Sequence, residues 1–104
     1  MQVIYVPKAA DFVVNLDDSL GVRVRRVISL LEARGNSLRM PFSKPVENGI
    51  FELRIVGALH IRLLFFFCKG DAVVAHAFFK KTERLSRRDI EYALLVQKVF
   101  IADI

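Results

Sequence analysis

The alternation and helical spacing of apolar positions divide this chain into seven elements. Residues 2–6, QVIYV, are a β-branched and aromatic run ended by Pro7, which predicts a short strand. Residues 8–17, KAADFVVNLD, predict a short helix with Phe12, Val13 and Leu16 facing inward. Asp17, Asp18 or Ser19 then caps a second helix, in which Leu20, Val24, Val27, Ile28 and Leu31 recur at helical spacing before Gly35 ends it. Arg23, Arg25 and Arg26 read as its solvated side. Residues 35–49, GNSLRMPFSKPVENG, are polar and proline-marked and predict a connection long enough to have a task of its own.

After the turn signal Asn48-Gly49 come three strands, at 50–56, about 60–68 and 72–80, with Gly57 opening one turn and Lys69-Gly70-Asp71 forming another. In the first of them Phe51, Leu53 and Ile55 share one face, and Glu52 and Arg54 the other. In the next, Ile61, Leu63, Phe65 and Phe67 alternate with Arg62, Leu64 and Phe66, so both faces are partly apolar. Ser86 with Asp89 resembles a capping box opening a last helix, whose apolar side carries Ile90, Ala93, Leu94 and Ile101. The order β-α-α-β-β-β-α predicts one α+β domain over residues 1–104. Its small, mostly antiparallel sheet has helices packed on one face and a shallow cleft on the other.

Composition narrows the class. At 104 residues, 54% hydrophobic and 26% charged, the chain is sized for one folded core and is not disordered. The apolar runs are too short to span a membrane, and the N-terminus lacks a secretory pattern. A single cysteine, Cys68, excludes an intrachain disulfide and fits a reducing, cytoplasmic location; with two histidines it makes a dedicated zinc site improbable. The net charge of +5 is concentrated: residues 39–88 hold ten basic and four acidic groups, against five and four before them and one and three after. Such a clustered positive field steers polyanions.

The cations within that stretch stand on strands. An unpaired charge is costly to bury, so arginines and lysines set on a sheet suit the gripping of phosphates better than they suit packing. Arg54, Arg62, Lys80 and Lys81 stand among aromatics in this way. His76 is in phase with Phe78 and Lys80, and imidazole suits proton transfer near neutrality. The bland alternatives are a hydrogen-bonded core histidine, solvated lysines at a strand end, and a phenylalanine cluster that is mainly core.

The segments FELRI, IRLLFFF, AHAFFKKT and SRRDIEYA together are similar to the phage-derived, HigB-like branch of the RelE/HigB toxin superfamily, over roughly residues 40–95. The resemblance implies the RelE/ParE-like fold and the toxin of a type II toxin–antitoxin pair. It further implies a ribosome-dependent mRNA endoribonuclease using neither metal nor other cofactor. In that chemistry the ribose 2′-hydroxyl attacks the adjacent phosphate, leaving a 2′,3′-cyclic phosphate and a 5′-hydroxyl.

Carried onto this sequence, Arg62 stabilises the phosphate, Arg54 is a second clamp, and Lys80 or Lys81 serves as acid or base. Lys44, His76, Phe78, Phe79 and Arg84 are the implied RNA-binding set, with a phenylalanine stacking on a base. The implied partners are an antitoxin with a helix-turn-helix domain and mRNA on the ribosome; no membrane is involved. Phe51 stands where the family often has Tyr, and Ala77 replaces its usual Gly. Tyr92 is the only counterpart of the C-terminal Tyr or His that several superfamily ribonucleases use. The alternative is a non-nuclease, ParE-like gyrase inhibitor or a catalytically degenerate binding module.

Overall fold

A computed structural model describes all 104 residues. The chain runs β1 (Val3–Tyr5), α1 (Pro7–Val14), α2 (Asp18–Arg34), a single 3-10 turn (Gly35–Ser37), β2 (Ser43–Glu47), β3 (Ile50–Arg54), β4 (Ile61–Cys68), β5 (Asp71–Phe79) and α3 (Arg87–Ala102). The five strands form one sheet in the order β1-β5-β4-β3-β2, with β1 parallel to β5 and every other pair antiparallel.

Local chemistry explains most boundaries. Pro7 sits in the first turn of α1, where its missing N–H costs nothing. The Asp17 carboxylate accepts from the Leu20 backbone N–H at 2.9 Å and starts α2. Gly35, at φ +54°, ends that helix. Asn48-Gly49 and Lys69-Gly70 all have positive φ, the requirement of tight two-residue hairpins, and they join β2 to β3 and β4 to β5. Gly57 is held to glycine by its backbone, with the Arg23 side chain lying against it. Its φ is +89°, and a Cβ there would lie 2.1 Å from Nη1 of Arg23. One of the arginines read as merely solvated therefore covers the β3–β4 turn.

Two corrections to the expected layout follow. The connection at 35–49 contains β2, a fifth strand, because Ser43–Glu47 pairs with β3 at the sheet edge. Pro45 conceals it in the sequence, since proline is tolerated only on edge strands or at bulges, and β2 is both edge and bulged. Secondly, helices cover both faces. α1 and α2 seal one, burying Ala9, Val24, Val27 and Leu31 against Leu53, Leu63 and Phe65. α3 seals half of the other, where Leu64, Phe66 and Val73 need a cover and receive Ala93, Leu94 and Phe100. Ile101, expected inward, is 48% exposed, while Phe100 packs edge-on to Phe66 at 5.7 Å. The α+β class itself holds.

A bulge in β5 decides what the second face displays. Leu64 pairs with His76 and Phe65 with Val74, leaving Ala75 as an extra residue. Two consecutive side chains therefore turn the same way: Ala75 into the core beneath α3, and His76 toward the start of α3.

Candidate functional site

The register across the sheet assembles the candidate residues in rows on the face that α3 only half covers. Lys44 pairs with Glu52, Glu52 with Leu64, and Leu64 with His76. One step along, Arg54 pairs with Arg62 and Arg62 with Phe78. Alternation puts all of these side chains, with Lys80, on one face. Arg54 and Arg62 are thus direct cross-strand neighbours, an arrangement that is unfavourable for like charges. Glu52 is the single carboxylate among these four cations.

Glu52 serves Arg62. The Arg62 Nε donates to Glu52 Oε2 at 3.1 Å and its Nη1 donates to the Ile61 carbonyl at 3.2 Å. Arg62 is only 3% exposed. It is therefore a buried, neutralised cation, and not the open phosphate clamp that the resemblance implied. Arg54 is the reverse case. Its Nη1 reaches only Met40 Sδ at 3.8 Å, and its Nε is buried with no hydrogen-bond partner. A buried donor left unsatisfied on a guanidinium is energetically costly.

His76 has a partner of its own. Nε2 lies 2.8 Å from Asp89 Oδ1, and the Ser86 hydroxyl donates to Asp89 Oδ2 at 2.7 Å. The Asp89 N–H in turn donates to Ser86 Oγ at 3.1 Å, which completes the cap of α3. The imidazole is stacked on Phe78 at 4.4 Å and meets the edge of Tyr92 at 4.7 Å. Beside it opens a cleft of about 830 Å³ between α1, the β5 edge and α3, lined among others by Lys8, Phe12, His76, Phe79, Asp89 and Tyr92. The start of α3 is pinned across the sheet by Arg87, whose guanidinium meets both oxygens of Glu47 at 2.5 and 3.0 Å. Those hydrogen bonds hold the Glu47 carboxyl below the usual range.

The remaining sequence-derived residues scatter. The Lys80 ammonium donates to the Glu83 carbonyl and so closes the loop after β5. Lys81, Arg84 and Lys44 are exposed and unpaired. Phe79 turns to the opposite face, stacked on His60 at 5.6 Å and edge-on to Phe12 at 4.9 Å, so it and Phe78 cannot hold the same base. Sequence reasoning missed Glu52 as the partner of Arg62 and Asp89 as the partner of His76. Asp89 carried a visible signal, its capping box with Ser86, but that signal reads only as a helix start. No group of three or more His, Cys, Asp or Glu side chains is placed to hold a metal ion, and no helix is long and apolar enough to cross a membrane.

Comparison with known proteins identifies relatives at the level of family and fold. The model of the family described as phage derived protein Gp49-like matches residues 11–98. No curated protein matches the chain. Among solved structures, isolated E. coli RelE toxin is similar with a TM-score of 0.59 and 11% identity, covering 94% of this chain and 97% of that one. At that identity the likeness concerns the fold.

Proposed function

Because the chain belongs to the phage-derived Gp49-like family of RelE/HigB-type toxins, we propose that it is the toxin of a type II toxin–antitoxin pair acting as a ribosome-dependent mRNA endoribonuclease. The observation that carries the reading is Arg54. Its guanidinium makes no ion pair and faces a second arginine across the strand pair, so an anion at its terminal nitrogens would be its first charged partner. A phosphodiester supplies that anion, and guanidinium binds its oxygens in forked geometry. Lys44 stands on the neighbouring edge strand, paired with Glu52, and the excess of basic groups between residues 39 and 88 supplies the wider field for RNA.

In this reading Arg54 holds the scissile phosphate and offsets the charge that grows on it in the transition state. Arg62, held in its pair with Glu52, supports the strand face on which Arg54 stands. The antitoxin, proposed to carry a helix-turn-helix domain, is the partner that restrains the activity in the cytoplasm. The test is a short mRNA programmed into purified ribosomes. We expect cleavage in the decoding site, insensitive to chelators, with products ending in 2′,3′-cyclic phosphate and 5′-hydroxyl. No cleavage on or off the ribosome would overturn the reading.

One observation favours the non-nuclease alternative. Leu95, Val99, Ile101 and Ile104 leave exposed apolar surface along and beyond α3, suited to a protein target such as gyrase. In that case growth inhibition would survive Arg54→Ala and fall with Leu95→Asp.

A further inference from the structure

We propose that His76 accepts the proton of the attacking hydroxyl and that Asp89 is the positioning residue holding it ready; this rests on the ribonuclease reading above. The bulge at Ala75 sets the direction of the His76 side chain. An unbroken β5 would alternate His76 away from the face occupied by Ala75. The extra residue instead returns His76 to that face, against the first turn of α3. Bulges re-aim side chains, and here the side chain so aimed is one suited to moving protons.

The hydrogen bonds then fix which nitrogen is available. Nε2 is engaged by Asp89 Oδ1 at 2.8 Å, so in the neutral ring the proton sits on Nε2 and the Nδ1 lone pair is bare. Nδ1 has no intramolecular partner and is not sealed from solvent, since 20% of the side chain remains exposed. Phe78 and Tyr92 clamp the ring from its face and its edge, and Ser86 locks the second oxygen of Asp89. This is the general arrangement of a nucleophile's base oriented by a third group. The charged and titratable groups around the pair are Asp89, Tyr92 and Arg88 of α3, Lys8 and Asp11 of α1, and Asp17 at the cap of α2, all lining the same cleft. Lys8 lies 5.7 Å over the Tyr92 ring.

His76 and Arg54 stand on the same face, two strands apart and two residues out of register, about 12 Å between backbone positions by ordinary strand spacing and rise. A nucleotide lying across β4 would meet Arg54 through its phosphate and His76 through its ribose, the two side chains covering the rest of the interval. The step balances without any other reactant. Nδ1 takes the 2′-hydroxyl proton as the bond between the 2′-oxygen and phosphorus forms and the bond from phosphorus to the 5′-oxygen breaks. The 5′-oxygen takes a proton from water, and the imidazolium, stabilised by Asp89, returns one to solvent.

The test is a kinetic cycle on ribosomes carrying mRNA, using wild type, His76→Ala, Asp89→Asn and the double variant, with melting curves run in parallel. We expect His76→Ala to lower kcat about 10²–10⁴-fold with KM little changed, the range of one proton-transfer catalyst. Asp89→Asn should lower kcat at least about tenfold, and the double variant should be no slower than His76→Ala alone, because groups acting as a unit are not additive. Added imidazole should restore part of the lost rate to His76→Ala. Losses that multiply in the double variant would mean that Asp89 acts elsewhere, through the helix cap for example, and would overturn its positioning role. A folded His76→Ala with nearly wild-type kcat would overturn the inference while leaving the ribonuclease reading intact. A wild type that cleaves nothing would remove both.

Discussion

Removing the Glu52 carboxylate is the perturbation that most sharply separates structure from function in this sheet. Arg62 and Glu52 pair at 3.1 Å with side chains only 4% and 10% exposed. Deleting one partner leaves a guanidinium buried without its counter-charge, a change that costs roughly 3–5 kcal/mol. A domain of this size is stable by about 5–15 kcal/mol in total, so Glu52→Ala should consume about a fifth or more of that reserve. At about 4–8 °C per kcal/mol, the melting midpoint should fall by at least ~12 °C. Far-UV circular dichroism during thermal and urea unfolding measures both quantities. The companion variant, Glu52→Leu with Arg62→Met, removes both charges and should lie within about 1 kcal/mol of wild type, since apolar replacement of a buried pair is often neutral or better. If Glu52→Ala costs less than about 1 kcal/mol, Arg62 is not a buried partner in solution and is free to serve RNA. Arg62→Ala leaves Glu52 buried without its partner and should lower stability by a similar amount, so its effect on toxicity mixes folding with function.

Three further outcomes follow from the fold. Phe66→Ala empties the core beneath α3, where the ring is 1% exposed, and should cost about 3–5 kcal/mol in denaturant unfolding. Asp17→Ala removes the cap of α2 and should cost about 1 kcal/mol by the same assay, with the helix otherwise intact. The Tyr5 hydroxyl is pushed above its ordinary 10.0 by burial and, secondarily, by Glu32. The folded state therefore keeps that proton longer than the unfolded chain does. Its stability contribution is complete below pH 10 and is lost as pH rises through the folded value, so Tyr5→Phe should flatten the alkaline limb of a stability–pH curve.

Strand periodicity and hairpin turns made most of the sheet legible in the sequence, because Asn48-Gly49 and Lys69-Gly70 admit few other conformations. The helical stripe from Val24 to Leu31 was equally plain. The position of α3 was not. Its apolar stripe specifies that it packs but not on which face, and only the demand of Leu64 and Phe66 for cover decides that. The site was readable as a set of residue types and unreadable as a set of partners. Alternation put Arg54, Arg62, His76 and Lys80 on one face. Whether a cation there is free depends on which carboxylate the register brings to it, and Glu52 lies diagonally across from Arg62 while Arg54 has none. His76 reaches Asp89 through a bulge that no residue in VVAHAFF announces.

The central claim is that Arg54 grips a phosphate at which RNA is cut. It is tested most directly by mapping RNA 5′ ends after brief induction of wild type and Arg54→Ala in cells lacking the antitoxin. The account predicts new 5′-hydroxyl ends inside translated reading frames for wild type and their loss in a variant that still folds, since Arg54 has no hydrogen-bonded partner beyond Met40. Growth arrest with intact mRNA, unaffected by the substitution, would contradict it.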